Sequence, residues 1–174
     1  MKKVLIAAAA LLVAACSSMP SWVPGSGWTT LLDGDKGMEN FNKIGHANWR
    51  AEGGVIVADK SPGTSYLVSK QSFKDFVLLA ESWADKNTNS GVFIRVPDKG
   101  APWQTGYEVQ ISNAPRDEKH CTGALYGYAA VKPRPDETAD KWHTFEIHCV
   151  GPKIKVISDG VRVVDVDQTN LSPP

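Results

Sequence analysis

Three successive apolar segments carry groups suited to proton transfer and to gripping an oxygen-rich ligand. They are Glu81 in "DFVLLAESWA", Arg95 in "NSGVFIRV", and Glu108 with Gln110 in "GYEVQIS". Each segment reads as a β-strand, along which side chains alternate between faces. In the first, Phe76, Leu78 and Ala80 share one face, with Val77, Leu79, Glu81 and Trp83 opposite. In the second, Val92, Ile94 and Val96 oppose Phe93 and Arg95. In the third, Tyr107, Val109 and Ile111 oppose Glu108, Gln110 and Ser112. If the strands are neighbours, Glu81, Arg95, Glu108 and Gln110 form one cluster beside aromatic rings. Carboxylates can move protons, Arg and amide groups can bind hydroxyls or a carbonyl, and a ring can stack on a sugar. Arg95 between two carboxylates would keep both ionised. A solvated outer sheet face is the plainer reading. Such a face usually carries Lys, Thr, Ser and Glu rather than this mixture.

Weaker candidates surround these four. Asn89 precedes the Arg-bearing strand and can hydrogen-bond at its rim, while Gly91 either permits a close approach or marks a plain turn. Tyr126, in "TGALYGY", could lend a phenol to the site or pack in the core. Trp142 and His143 open another strand. Strict alternation puts His143 with Phe145, Ile147 and Cys149 inside the core, and a bulge at the strand start would reverse that. His143 is therefore either an acid, base or metal ligand, or a satisfied structural histidine. His46, His120 and His148 show no ligand-like spacing, and no zinc, calcium-loop, phosphate-loop or nucleophile-elbow motif occurs.

The elements that must position these groups are strands. "WTTLL", two short strands about the Gly-Gly of "NWRAEGGVIVAD", "SYLVSK", "DFVLLAESWA", "SGVFIRV", "GYEVQIS", "GALYGYA", "HTFEIHCV", "KIKVIS" and "VRVVDV" all read as extended. Asp159-Gly160 between the last two is a strong hairpin signal. The loop "VKPRPDETADKW" has room for one short helical turn. About ten short strands with Gly- and Pro-rich connections predict an all-β, two-sheet antiparallel sandwich or jelly roll.

Composition narrows the classes. Lys and Arg total 19 against 19 Asp and Glu, with no block of like charge, so no nucleic-acid footprint appears. The N-terminus is read separately. Met1-Lys2-Lys3 precedes an unbroken apolar run of 12 residues, Val4 to Ala15, too short to span a bilayer and sized for a signal-peptide core. Val13-Ala14-Ala15-Cys16 resembles a bacterial lipobox, in which Cys16 becomes the lipidated first residue. An ordinary signal peptide is the alternative. The expected organisation is a leader over 1–15, a lipidated Cys and flexible tether over 16–27, and a sandwich domain over 28–174. The expected location is the cell envelope, anchored through lipid on Cys16, with Ser17-Ser18 fitting the outer membrane. Cys121 and Cys149 remain, and their pairing is left open because sequence cannot show that they approach.

Together, "GWTTLLDG", "EGGVI", "DFVLLAE", "NSGVFIR", "GYEVQIS", "TGALYG" and "KWHTFEIHCVGPKIKVISDG" resemble the 3-keto-disaccharide hydrolase family, over roughly residues 28 to 167. "NSGVFIR" followed by "GYEVQI" carries most of the specificity. The resemblance implies a concanavalin A-like lectin/glucanase fold and an exported enzyme acting on glycosides whose sugar bears a ketone at C3. On matching positions it implies Glu108 as the central carboxylate, with Arg95 and Gln110 binding or polarising the ketone. His143 is a weaker catalytic candidate; Asn89, Phe93, Tyr126 and Trp142 would bind substrate, as would Glu81, either as a second carboxylate or by orienting Arg95. A divalent metal acting as Lewis acid is compatible with these groups, although no ligand motif marks one. A non-catalytic carbohydrate-binding lipoprotein of the same fold is the alternative function. One departure is expected to matter: family members continue past the Asp-Gly hairpin to a further closing strand, which is not seen here before "NLSPP".

Overall fold

The computed structural model describes residues 4–7, 28–59, 61–97 and 99–172. Eleven strands follow in chain order: β1 Val4–Ala7, β2 Phe41–Ile44, β3 Trp49–Glu52, β4 Val55–Ala58, β5 Tyr66–Ser69, β6 Phe76–Ala84, β7 Asn89–Ile94, β8 Tyr107–Ser112, β9 Trp142–Val150, β10 Lys153–Ser158 and β11 Val161–Asp167. Seven form one sheet in the order β11-β10-β9-β6-β1-β4-β3, and β7–β8 and β2–β5 form two ribbons. All the pairings are antiparallel. The chain is an all-β sandwich, as the alternating patterns predict.

The core lies between the large sheet and the β7–β8 ribbon. Phe145, Ile147 and Cys149 of β9, Ile154 and Val156 of β10, and Val163 and Val164 of β11 are buried there. They meet Tyr107, Val109 and Ile111 of β8 and Ile94 of β7. Period-two alternation therefore does what it predicts: one face of each strand leaves water, at about 25 cal/mol per Å² of apolar area removed.

Two predicted strands are absent for identifiable reasons. "WTTLL" runs as irregular chain, with one isolated bridge, Asp33 to Lys36, closing the turn after it. "GALYGYA" is a turn hung on the edge of β8, in which Leu125 bridges both Val109 and Ala129. Gly127 sits at φ +75°, the left-handed region that ends an L-residue strand. β2 is not foreseen, and the helical turns among the described residues fall at Met38–Asn40, Pro102–Thr105 and Gln168–Asn170 rather than in the 131–142 loop. At Asp159-Gly160 both φ angles are positive, +47° and +77°, the hairpin geometry the sequence predicts. Cys121 and Cys149 are free, buried thiols. Cys16 and the expected tether lie outside the described residues.

Candidate functional site

The site grows from the register of β7 on β8. Asn89 pairs with Ser112, Gly91 with Gln110 and Phe93 with Glu108. Since Tyr107, Val109 and Ile111 face the core, Glu108, Gln110 and Ser112 face away from it, together with Asn89, Gly91 and Phe93. Gln110 is nonetheless only 1% exposed. Its amide nitrogen donates to Asn89 Oδ1 at 3.2 Å, and its Oε1 accepts the Ile111 amide at 2.9 Å. Arg116 closes one side, donating to Ser112 Oγ at 3.0 Å and to Asn89 Oδ1 at 3.5 Å. Tyr66, from β5, closes the other side, its ring edge-on to Phe93 at 5.7 Å.

Glu108 lies in the middle of this arrangement. Its side chain folds back across Gly91, where a Cβ would sit 2.4 Å from Oε1 and 2.6 Å from Cγ. Only glycine leaves that space, so Gly91 serves Glu108 and not a turn. Among the described residues the Glu108 carboxylate makes no ion pair or hydrogen bond. Burial raises its pKa from 4.5 to about 7, with the Arg116 charge pulling in the opposite direction. The Tyr66 phenol is also raised, first by burial and then by the nearby Glu108 charge. The result is a half-buried carboxyl that exchanges its proton near neutrality, which a general base or acid requires.

Tyr126 borders the site through its backbone, its amide donating to the Glu108 carbonyl at 2.9 Å. Its ring packs edge-on against His120, at 4.8 Å, and His120 bonds to Asp117 at 2.7 Å. Arg116 and Tyr66 were missed at the sequence level. Neither lies on the strands that carry the motif, and only the fold brings them near. Of the foreseen residues, Glu108, Gln110, Asn89, Phe93 and Tyr126 come together.

Arg95, Glu81, Trp142 and His143 do not join them, which corrects the expectation of one cluster. Arg95 lies just past β7 at φ +58°. A left-handed residue breaks the alternation and sends its side chain elsewhere. Its guanidinium donates to the Lys74 carbonyl and, at 2.7 Å, to the Gly151 carbonyl, with Asp75 3.6 Å away. Glu81 stands in the large sheet, whose β6 pairs with β9 and β1 rather than β7, beside Leu79, Thr144 and Glu146. Trp142 pairs across strands with Trp83 and is 41% exposed.

His143 follows strict alternation into the interior, at 5% exposure. Nδ1 meets Asp159 Oδ2 at 2.7 Å and Nε2 meets the Thr138 carbonyl at 2.9 Å. Both partners are acceptors, so the arrangement favours the doubly protonated ring, which alone can donate to both. Burial lowers its pKa, but the Asp159 and Thr138 bonds outweigh it and the net shift is upward. Asp136, His143 and Asp159 bring potential metal-ligand atoms within 4.8 Å of one another. Those atoms are already engaged, Asp136 by Lys141 and Thr138, and His143 as above. The cluster ties a loop to a hairpin, and no comparable donor set surrounds Glu108 among the described residues.

The 3-keto-alpha-glucoside-1,2-lyase-like domain family matches residues 27–173. The chain belongs to that family. Its fold is shared by two crystal structures of proteins from Parabacteroides distasonis ATCC 8503, each named as a candidate glycosyl hydrolase. The first is 25% identical with a TM-score of 0.53, over 57% of this chain and 54% of that one. The second is 18% identical with a TM-score of 0.65, over 80% and 72%. The chain thus spans about half the length of the first. No curated protein matches.

Proposed function

We propose that the protein cleaves glycosidic bonds of 3-keto-glycosides by elimination followed by hydration, with Glu108 as the base. The observation that carries this reading is the Glu108 carboxyl itself: central, half-buried, unpaired among the described residues and titrating at about 7. A ketone at C3 acidifies the hydrogen on C2. Glu108 removes that proton, its electrons form the C1–C2 double bond, and the C1–O bond breaks as the leaving oxygen takes a proton. Water then adds across the double bond, returning hydroxyl to C1 and hydrogen to C2. The net change is hydrolysis, and it needs no second catalytic carboxylate of the kind that ordinary glycosidases pair.

The neighbours suit the remaining tasks. Arg116 supplies positive charge toward the negative oxygen that develops at C3. Gln110 and Asn89 hold a fixed amide pair at the sheet surface, and Phe93 and Tyr66 offer a ring wall against which a sugar can lie. The family membership supports the substrate class. The N-terminal pattern supports export and a lipid anchor on Cys16, with action in the envelope. Among the described residues no helix is long and apolar enough to cross a membrane.

The test is turnover of a 3-keto-glucoside with a chromogenic leaving group. Wild type is expected to release the chromophore, and Glu108→Gln to lose about a hundredfold or more, the usual weight of a positioned base. Sugar binding without release by wild type would show a binding module instead. Equal release by both proteins would remove Glu108 from the base role.

A further inference from the structure

Elimination needs two groups at once: a base for the C2 hydrogen and a donor for the departing oxygen. Among the neighbours of Glu108, Arg116 is a poor donor, because a guanidinium is not deprotonated in proteins. Gln110 and Asn89 bond each other, and amides do not release protons. Tyr66 differs. Its hydroxyl is buried and has no hydrogen-bond partner among the described residues. Buried hydroxyls are normally bonded, so an orphan beside a reactive carboxyl points to a use. Tyr66 opens β5, opposite Ile44 of β2, and its ring stands edge-on to Phe93 with centroids 5.7 Å apart. Phe93 is the β7 residue directly opposite Glu108. Gly91, two residues away on the same face of β7, lies under the Glu108 arm. Phenol and carboxyl therefore meet over one stretch of β7, brought there by separate ribbons. Burial, and then the Glu108 charge, hold the phenol protonated, yet no hydrogen bond joins the two groups. Side by side and unbonded to each other, both are free for a substrate. Tyr126 is the other phenol nearby, but it meets Glu108 through its backbone at the far edge of β8, and its ring leans on His120.

We infer that Tyr66 is the catalytic proton donor to the leaving oxygen, working with Glu108 as base; this rests on the elimination reading of the site. In elimination Glu108 takes the C2 proton and the C–H electron pair becomes the second C1–C2 bond. The C1–O pair departs with the oxygen, which takes the phenol proton. In hydration the Tyr66 phenolate takes a proton from water as the water oxygen bonds to C1, and the Glu108 carboxyl returns a proton to C2. Both side chains end as they began, and nothing is oxidised or reduced. A sugar or alkyl alkoxide leaves poorly without a proton, whereas a nitrophenolate leaves unaided. The weight of the Tyr66 hydroxyl therefore depends on the leaving group, which a merely structural hydroxyl would not show.

The test compares methyl and nitrophenyl 3-keto-glucosides as substrates of the full chain. Tyr66→Phe keeps the ring on Phe93 and removes only the hydroxyl. It is expected to lose about a hundredfold or more in turnover of the methyl glycoside, and less than about tenfold with the nitrophenyl one. In heavy water, uncleaved methyl glycoside recovered from the variant should carry deuterium at C2, because Glu108 still removes and returns that proton while the C1–O bond holds. The melting temperature should be no lower than that of wild type, since the change deletes an unpaired buried hydroxyl. Equal losses on the two substrates, or wild-type rates on both, overturn the inference. So does a clearly lowered melting temperature, which would give the hydroxyl a structural bond, or the leaving-group dependence appearing in Tyr126→Phe instead. Each of those results leaves Glu108 standing as the base. If wild type neither cleaves these substrates nor exchanges their C2 hydrogen, the elimination reading itself falls, and the Tyr66 role falls with it.

Discussion

Glu108 combines a chemical advantage with a folding cost, and both follow from its burial. The pKa rises from 4.5 to about 7, so the folded state holds a proton that the unfolded state has released across that window. Wild-type stability should therefore fall as pH rises from about 4.5 to about 7. Glu108→Gln has no carboxyl to ionise, so its melting temperature should exceed that of wild type above pH 7, with the difference vanishing below about 4.5. Thermal melts across pH check this. The same proton governs the rate, because a base works deprotonated, and kcat/KM should climb through a limb near pH 7. Arg116→Gln removes the charge that favours ionisation and should move that limb to higher pH. Gly91→Ala places a methyl where the Glu108 arm lies, and a displacement of about 1 Å typically costs about a hundredfold in rate. Steady-state kinetics on the folded variant measure that loss.

Strands and turns explain why the sequence revealed half of the site. Alternation in "GYEVQIS" separates Tyr107, Val109 and Ile111 from Glu108 and Gln110, and the structure keeps that division. The same logic failed at Arg95, because a left-handed backbone angle is invisible in a run of apolar residues. It failed for Glu81 because alternation gives a face but not a neighbour, and β6 pairs with β9. Arg95 acts as a clamp between the Lys74 and Gly151 carbonyls. Arg95→Ala is expected to cost about 1.5–3 kcal/mol of stability, as for hydrogen bonds to a charged group, while leaving kcat/KM of the folded protein unchanged. Denaturant titration beside kinetics separates the two effects. The His143–Asp159 pair makes a similar prediction. His143 is shifted upward from 6.5, so its contribution is complete below 6.5 and is lost as pH rises through the folded value. Asp159 is shifted downward from 3.8, so its share is present above 3.8 and is lost as pH falls through its folded value. Asp159→Asn should destabilise most between those two pH values, by about 1–2 kcal/mol, in unfolding measured against pH.

At the scale of the molecule, the sandwich was legible because its core uses period-two strands throughout, and the match over residues 27–173 agrees with the motif order. What was not legible is which strand lies beside which. That order brings Tyr66 of β5 and Arg116, beyond β8, to a carboxylate they never approach in sequence. It also puts Val4–Ala7 into the middle of the sheet. The domain thus separates two tasks: the large sheet carries the His143–Asp159 tie and receives the Arg95 clamp at its edge, and the β7–β8 ribbon presents Glu108. The most direct measurement of that account follows the C2 hydrogen of a 3-keto-glucoside cleaved in heavy water. Elimination and hydration with Glu108 as base predict deuterium at C2 of the released sugar for wild type, and a loss of both cleavage and C2 exchange in Glu108→Gln. Cleavage by wild type with the original C2 hydrogen fully retained would contradict it.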